Sequence, residues 1–277
     1  MGMGGFIGFM ISIFLLLVQM SVIFPLPLTD IGTVRYKTLP MVTYLLLLVN
    51  GLVFLGLQAP TMIFAESNYD LQAYVNQLYT FGFREIALQQ GLGYGAITAF
   101  THMFMHADIS HLLGNMVFLW AFGRRIEDAC GSWRYLLFYL TAGLVAALGT
   151  AALTPTNADL PGVGASGAIA GIMGAYLILF PGAKVNCMWL LGSIIRVPIA
   201  AIRGKDLWNW TIPIPAWIIL IYFVVDNFLP SLAVMQAETD LQGVNTVAHL
   251  AGFLAALLIL LFVRKDLLNR YIAGRSL

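Results

Sequence analysis

Apolar runs separated by short polar breaks dominate the chain. A hydrocarbon core about 30 Å thick requires roughly 20 helical residues rising about 1.5 Å each. Seven candidate spans follow: residues 6–28, 40–58, 108–123, 133–153, 166–180, 213–230 and 244–263. Two of them, 108–123 and 166–180, are short, so apolar length alone does not separate a span from a buried or re-entrant helix. The first has neither a basic leading region nor a small-residue cleavage site, which predicts a membrane anchor rather than a removable signal peptide. The segment 59–98 differs: Tyr69, Tyr74, Tyr79, Phe81 and Phe83 stand among polar residues. That composition predicts an element lying in the membrane interface, with a small cap outside the bilayer as the alternative.

Lys and Arg decide the doubtful spans, because cytoplasmic loops carry an excess of them. With seven spans, one face holds Arg35, Lys37, Arg124, Arg125, Arg134, Lys184, Arg196, Arg203, Lys205, Arg264, Lys265, Arg270 and Arg275, and the other holds only Arg84. Dropping either short span would scatter these charges over both faces. The expected topology places the N-terminus outside and the C-terminus inside, in a bacterial inner (plasma) membrane. Composition agrees: 60% of the 277 residues are hydrophobic and 10% charged, against about half and a quarter in a soluble domain. A net charge of +1 leaves no basic surface for nucleic acid. Cys130 and Cys187, the two cysteines, fall on the basic face and are expected to be free, packed thiols.

Polar groups inside spans are costly and therefore mark function. The third span opens with His102, His106, Asp108 and His111 and continues to Asn115; the fifth opens at Gly164, Ala165, Ser166, Gly167; the seventh carries Asn245 and His249. All three enter from the same side, so these groups share one depth. His111 and Asn115, four residues apart, share a helix face. Asp108 is expected to cap the helix that follows it. His106 then lies in the preceding loop as an anchor, and His102 is assigned a structural role. Gly164 and Gly167 beside Ser166, and Gly252 and Ala256 on the His249 face, allow close helix contact. A short fifth helix would leave its outer end below the surface, in a polar cavity open to water.

Serine becomes nucleophilic when a neighbouring base takes its proton, and histidine suits neutral pH. Ser166 and His249 can form such a dyad, with His111, Asn115 and the Ser166 backbone N–H as donors to an oxyanion. No carboxylate stands nearby to orient His249. Acyl transfer to water, hence peptide hydrolysis, is the reaction class, with no metal or cofactor required. The three histidines His102, His106 and His111 lack an HExxH arrangement, which argues against a metal site. A transporter or a catalytically inactive helix-binding module are the alternatives from other classes; an inactive module would be expected to lose the serine or the histidine.

The segments HADISHLLGNM (106–116), FGRRIEDACGSWRYLLFYL (122–140), VGASGAIAGIMGAYLILFP (163–181) and AHLAGF (248–253) resemble the rhomboid family of intramembrane serine proteases over residues 35–265. The resemblance implies Ser166 as nucleophile, His249 as base, and His111 and Asn115 in the oxyanion hole. It implies an all-α polytopic membrane protein with a six-helix core. Residues 1–34 would add an extra N-terminal transmembrane helix, 59–98 an interfacial loop and 266–277 a cytoplasmic tail. The partners implied are the lipid bilayer and transmembrane protein substrates. Ile97 and Thr98 stand where many members carry a Trp-Arg pair, and Ala170 where some stack a tyrosine on the base. Glu127, at a structural acid position of the family, is expected to pair with Arg124, Arg125 or Arg134. The segment 198–214 has no assigned role.

Overall fold

The computed structural model describes residues 18, 21–22, 25–31, 38–62, 68–89, 93–153, 160–204, 211–235 and 246–274. In chain order its elements are β1 (Leu26–Ile31), α1 (Met41–Val53), α2 (Ala59–Met62), α3 (Asn68–Phe81), α4 (Glu85–Gln89), α5 (Gly93–Thr101), α6 (Ile109–Phe118), α7 (Arg124–Cys130), α8 (Ser132–Leu153), α9 (Ser166–Leu179), β2 (Lys184–Met188), α10 (Leu190–Ile202), β3 (Thr211–Pro215), α11 (Ala216–Met235), α12 (Thr246–Leu254) and α13 (Lys265–Ile272). This is an all-α polytopic membrane architecture to which one small sheet is added. Among the described residues, two helical stretches, Met41–Thr61 and Ser132–Leu153, are individually long and apolar enough to cross a bilayer. The apolar stretches Ser166–Leu179 and Ala216–Asn227 are shorter, and the helix beginning at Thr246 runs to Leu261 before the chain turns by 99° into α13.

Helix α9 occupies the centre because its sequence permits it. Gly167 through Tyr176 are all buried, as expected of a helix with apolar or small residues all round, and α9 packs on α8, α12 and the turn that follows α12. Side-chain volume is nearly absent at the crossings. A Cβ at Gly167 would meet Ala146 Cβ at 2.5 Å, and one at Gly171 would meet Ala142 Cβ at 2.5 Å and the Gly252 carbonyl at 3.0 Å. On one side the helices are held by bulk instead, through buried Phe122, Tyr135, Phe138, Tyr139 and Tyr176.

The third predicted span begins where expected, capped by Asp108, whose Oδ1 accepts the His111 N–H at 2.8 Å. It does not stop at residue 123. A π-helical turn at Leu119–Gly123 joins α6 to α7, and the helical path ends only at Gly131, whose positive φ of +80° is open to glycine and strained for other residues.

Glu127 on that path corrects one expectation, since among the described residues it pairs with none of Arg124, Arg125 and Arg134. Its carboxylate accepts the N–H groups of Val42 (2.9 Å) and Thr43 (2.8 Å), the Thr43 hydroxyl (2.8 Å) and the Ser132 hydroxyl (2.6 Å). The physical reason is that α1 opens after Pro40 with no side-chain cap of its own, so an anion from another helix satisfies its free N–H donors. Glu127 is fully buried. Glu127→Gln is expected to cost about 1–3 kcal/mol, because it removes a charge-assisted cap from buried donors. A lower midpoint of thermal unfolding in detergent checks this; an unchanged midpoint would show the cap to be dispensable.

The sheet was not anticipated from the sequence. Its order is β1-β2-β3, antiparallel throughout. Pro27 lies in β1, and Pro213 and Pro215 lie in β3, so the proline-bearing strands take the edges and the proline-free β2 the centre, as backbone donors require. Residues 26–28, counted in the first predicted span, belong to β1; the remainder of that span falls largely outside the described residues. The 198–214 segment supplies the end of α10 and most of β3. The sheet is clamped to the helices by Asp30, which forms an ion pair with Arg125 of α7, Nε at 2.6 Å, and accepts the Tyr176 hydroxyl of α9. It brings together chain segments that the charge pattern had placed on one face. Cys130 and Cys187 are free and buried, and burial pushes the Cys187 thiol in β2 up to about 12.

Candidate active site

A cavity of about 590 Å³ opens at the end of α9 opposite the sheet, separated from it by the helix's own length, about 20 Å. Ser166, His249 and His111 all line it, together with Asp108, Ser110 and Thr150. Three segments distant in sequence thus deliver their polar groups to one place.

Ser166 is the first residue of α9, and the turn before it explains how it is presented. Gly164 has φ +126°, a conformation open to glycine and strained for other residues. A Cβ there would also stand 2.8 Å from His111 Nε2 and 3.4 Å from Ser166 Oγ. The glycine therefore lets the imidazole and the serine hydroxyl lie against one stretch of backbone. Its N–H donates to the His102 carbonyl at 2.9 Å, which fixes the turn to the helical turn before α6.

His249 reaches the cavity because α12 lies almost in contact with α9. A Cβ at Gly252 would be 2.0 Å from the Gly167 carbonyl oxygen, and one at Gly167 would be 3.7 Å from the Ala248 carbonyl. Residues 248 and 252 flank His249 as 167 flanks Ser166, so the backbone contact sets the separation of the two side chains. No direct hydrogen bond joins Ser166 to His249 among the described residues. Catalytic hydrogen bonds are often long before substrate arrives.

The loop before α6 is tied down on both sides. Gln58 makes a reciprocal pair with His106, its Nε2 donating to the His106 carbonyl (2.5 Å) and its Oε1 accepting the His106 N–H (3.0 Å). Tyr74 donates its hydroxyl to the Ala107 carbonyl, and the buried His106 ring stacks edge-on against His111 at 5.2 Å. The Ala107 N–H points at His111 Nδ1 from 3.5 Å. That donor leaves the ring proton on Nε2, the nitrogen facing Gly164 and Ser166.

Asn115 lies one turn along α6 from His111. It is not among the residues lining the cavity, and its buried Nδ2 has no hydrogen-bond partner among the described residues. His102 is bound through Nδ1 to the Thr98 carbonyl, 3.1 Å. Asn245 lies outside the described residues. The described parts of the segment 59–98 form α2, α3, α4 and most of α5, and Leu78 and Phe83 stand in the cavity wall. In place of the Trp-Arg pair the segment is held by the Phe83–Gly162 backbone pair, two bonds of 2.8 Å, and by the Thr101 hydroxyl on the Phe81 carbonyl, 2.7 Å.

One polar residue of the site escaped the sequence reading. Asn227 of α11 holds its Oδ1 2.8 Å from His249 Nδ1. The signal existed, because an amide inside an apolar span is as conspicuous as the histidines.

Comparison with known proteins shows the family. The Rhomboid domain profile matches residues 95–266, more than half of the chain, and the chain belongs to the rhomboid family. With its apolar helices it is an integral membrane protein. It is 34% identical over 123 residues to "Rhomboid protease GluP" of Bacillus subtilis, covering 44% of this chain and 23% of that protein. It is 38% identical over 79 residues to "Putative rhomboid protease YdcA" of the same organism, 28% of this chain and 39% of that one. To "Rhomboid-like protein 11, chloroplastic" of Arabidopsis thaliana it is 27% identical over 172 residues, 60% and 51% respectively. The chain thus spans about half, or less, of the length of these relatives.

Proposed function

We propose that the protein is an intramembrane serine endopeptidase that cuts transmembrane substrates near the outer leaflet. The observation that carries this is the convergence of Ser166, His249 and His111 on one cavity at the N-terminal end of a buried helix. Ser166 Oγ attacks the scissile carbonyl while His249 takes its proton and later returns it to the leaving amine. The tetrahedral oxyanion is received by His111 Nε2–H and the Ser166 backbone N–H, one of the donors left unbonded at a helix start. Asn115 Nδ2, buried and without a hydrogen-bond partner among the described residues, is the third donor in this reading. The basic end of the bundle, with Arg124, Arg125, Lys184 and Arg264, faces the cytoplasm by the positive-inside bias, which puts the cavity on the outer side. Residues 35–265 form the protease core, with the N-terminal segment as an added helix and 59–98 as its interfacial loop.

The test is purified protein in detergent, treated with a fluorophosphonate probe and offered a single-span substrate with and without a chelator. Labelling that maps to Ser166, and cleavage indifferent to the chelator, are the expected results. A protein that neither labels nor cleaves across several substrates would instead be a helix-binding member of the family.

A further inference from the structure

A single imidazole nitrogen must be free to accept the serine proton, and something must decide which one. The sequence offers no carboxylate for this, and Ala170 is too small to reach the ring. The structure supplies a different group, from a helix that the motifs do not touch. Asn227 of α11 is 4% exposed and His249 8% exposed. Asn227 Nδ2 donates to the Phe223 carbonyl at 2.8 Å, and Oδ1 stands 2.8 Å from His249 Nδ1.

These two bonds determine each other's sense. The amide nitrogen can only donate and the amide oxygen can only accept. Turning the amide over would face its oxygen toward the Phe223 carbonyl oxygen, two acceptors with no proton between them. The carbonyl one turn back on α11 therefore locks Oδ1 toward the imidazole, and an acceptor at Nδ1 requires the proton to be there. Nε2 is left with its lone pair. The Phe223 ring, on the same face of α11 as Asn227, lies 5.7 Å from the imidazole at 37° and limits its rotation.

We infer that Asn227 is a positioning residue that holds His249 in the Nδ1–H tautomer and so makes the Ser166–His249 pair an oriented serine–histidine–asparagine relay. This rests on the function proposed above. As the Ser166 O–H bond breaks and the Oγ–C bond forms, the proton moves to Nε2 and the ring becomes positive. The Nδ1–H···Oδ1 bond then becomes charge-assisted and strengthens in the transition state. The proton leaves Nε2 for the amine as the C–N bond breaks. Asn227 gains and loses no proton in the cycle. Among the described residues, the other titratable group facing His249 is His111 across the cavity; Asp226, beside Asn227 in sequence, is exposed.

The experiment compares wild type with Asn227→Leu, which keeps bulk and removes the acceptor, and Asn227→Asp, which keeps an acceptor and adds charge. Two readouts are followed against pH: the rate of Ser166 labelling by a fluorophosphonate, and kcat and KM for a single-span substrate. Asn227→Leu is expected to slow labelling and kcat by about 10- to 100-fold with KM within about two-fold. Asn227→Asp is expected to recover most of that rate and to move the acid limb of the profile to higher pH, because a carboxylate favours the protonated imidazole. Labelling of Asn227→Leu at the wild-type rate would overturn the inference. So would an Asn227→Asp protein as slow as Asn227→Leu with an unmoved profile, which would mark a packing role. Thermal midpoints of both variants separate misfolding from lost alignment, and Asn227→Ala, which also removes the acceptor, takes the place of Asn227→Leu with the same expected and overturning results if Asn227→Leu does not fold. Failure of wild type to label at Ser166 would instead remove the protease reading, and the relay with it.

Discussion

Ser166→Ala is expected to lower kcat/KM on a single-span substrate by about 10³-fold or more, and His249→Ala by a similar factor, since groups that act as one unit fail together. The Ser166 Oγ, the proposed nucleophile, has no substitute among the described residues of the cavity wall, where Ser110 and Thr150 are the other hydroxyls and belong to other helices. The double variant is expected to be no slower than either single one. Initial rates of the three variants at fixed pH, with KM measured beside kcat, check both statements. A Ser166→Ala protein within ten-fold of wild type would mean that the nucleophile has been misassigned. Losses that multiply in the double variant would mean that serine and histidine serve separate steps. His111→Ala, which removes a donor and neither reacting group, belongs in the same series as a smaller loss.

Gly252→Ala is expected to be among the most damaging changes of a single methyl in the chain. The added carbon would lie 2.0 Å from the Gly167 carbonyl oxygen, and the obstacle is backbone, which cannot rotate away as a side chain would. Helices α9 and α12 must then part. The expected cost is about 3 kcal/mol, the upper end of overpacking, read as a lower midpoint of thermal unfolding in detergent. Activity falls with it, because the same contact spaces Ser166 from His249. Gly51→Ala in α1 is the control: nothing lies within 4 Å of its Cβ position, and the loss of glycine's freedom in a helix favours folding by about 0.5–1 kcal/mol. A Gly252→Ala protein that melts and cleaves like wild type would contradict the crossing described.

Much of this site is written in local signals. Asp108 caps α6 because an acid three residues before a histidine N–H can do so without help from the rest of the fold, and Gly164, Gly167 and Gly252 announce close approach by their lack of side chains. The charges on one face imply that chain segments ending there are neighbours, and the sheet brings such segments together. What stayed hidden depends on partners far away in the chain. Glu127 has arginines within a few residues, and local spacing favours them; its actual partners are the N–H groups of α1, 84 and 85 residues earlier. Asn227 meets His249 across 22 residues, and spacing within α11 says nothing of that contact. The strands β1 and β3 are proline-bearing and short, features that argue against strands until a proline-free partner lies between them.

The position of β1 sets a limit on how the chain can be shortened. It lies before residue 35, where the resemblance to the rhomboid core begins, yet it forms one edge of the sheet. Trimming the protein to that core would remove Asp30 and with it the ion pair that ties the sheet to the buried Arg125 guanidinium of α7. It would also turn β2 from a central strand into a bare edge that carries no proline. Unpaired edges of this kind recruit strands from other molecules. A shortened protein would therefore tend to self-associate through its basic end, and an oligomer seen in such a preparation would report the missing strand rather than a property of the full chain.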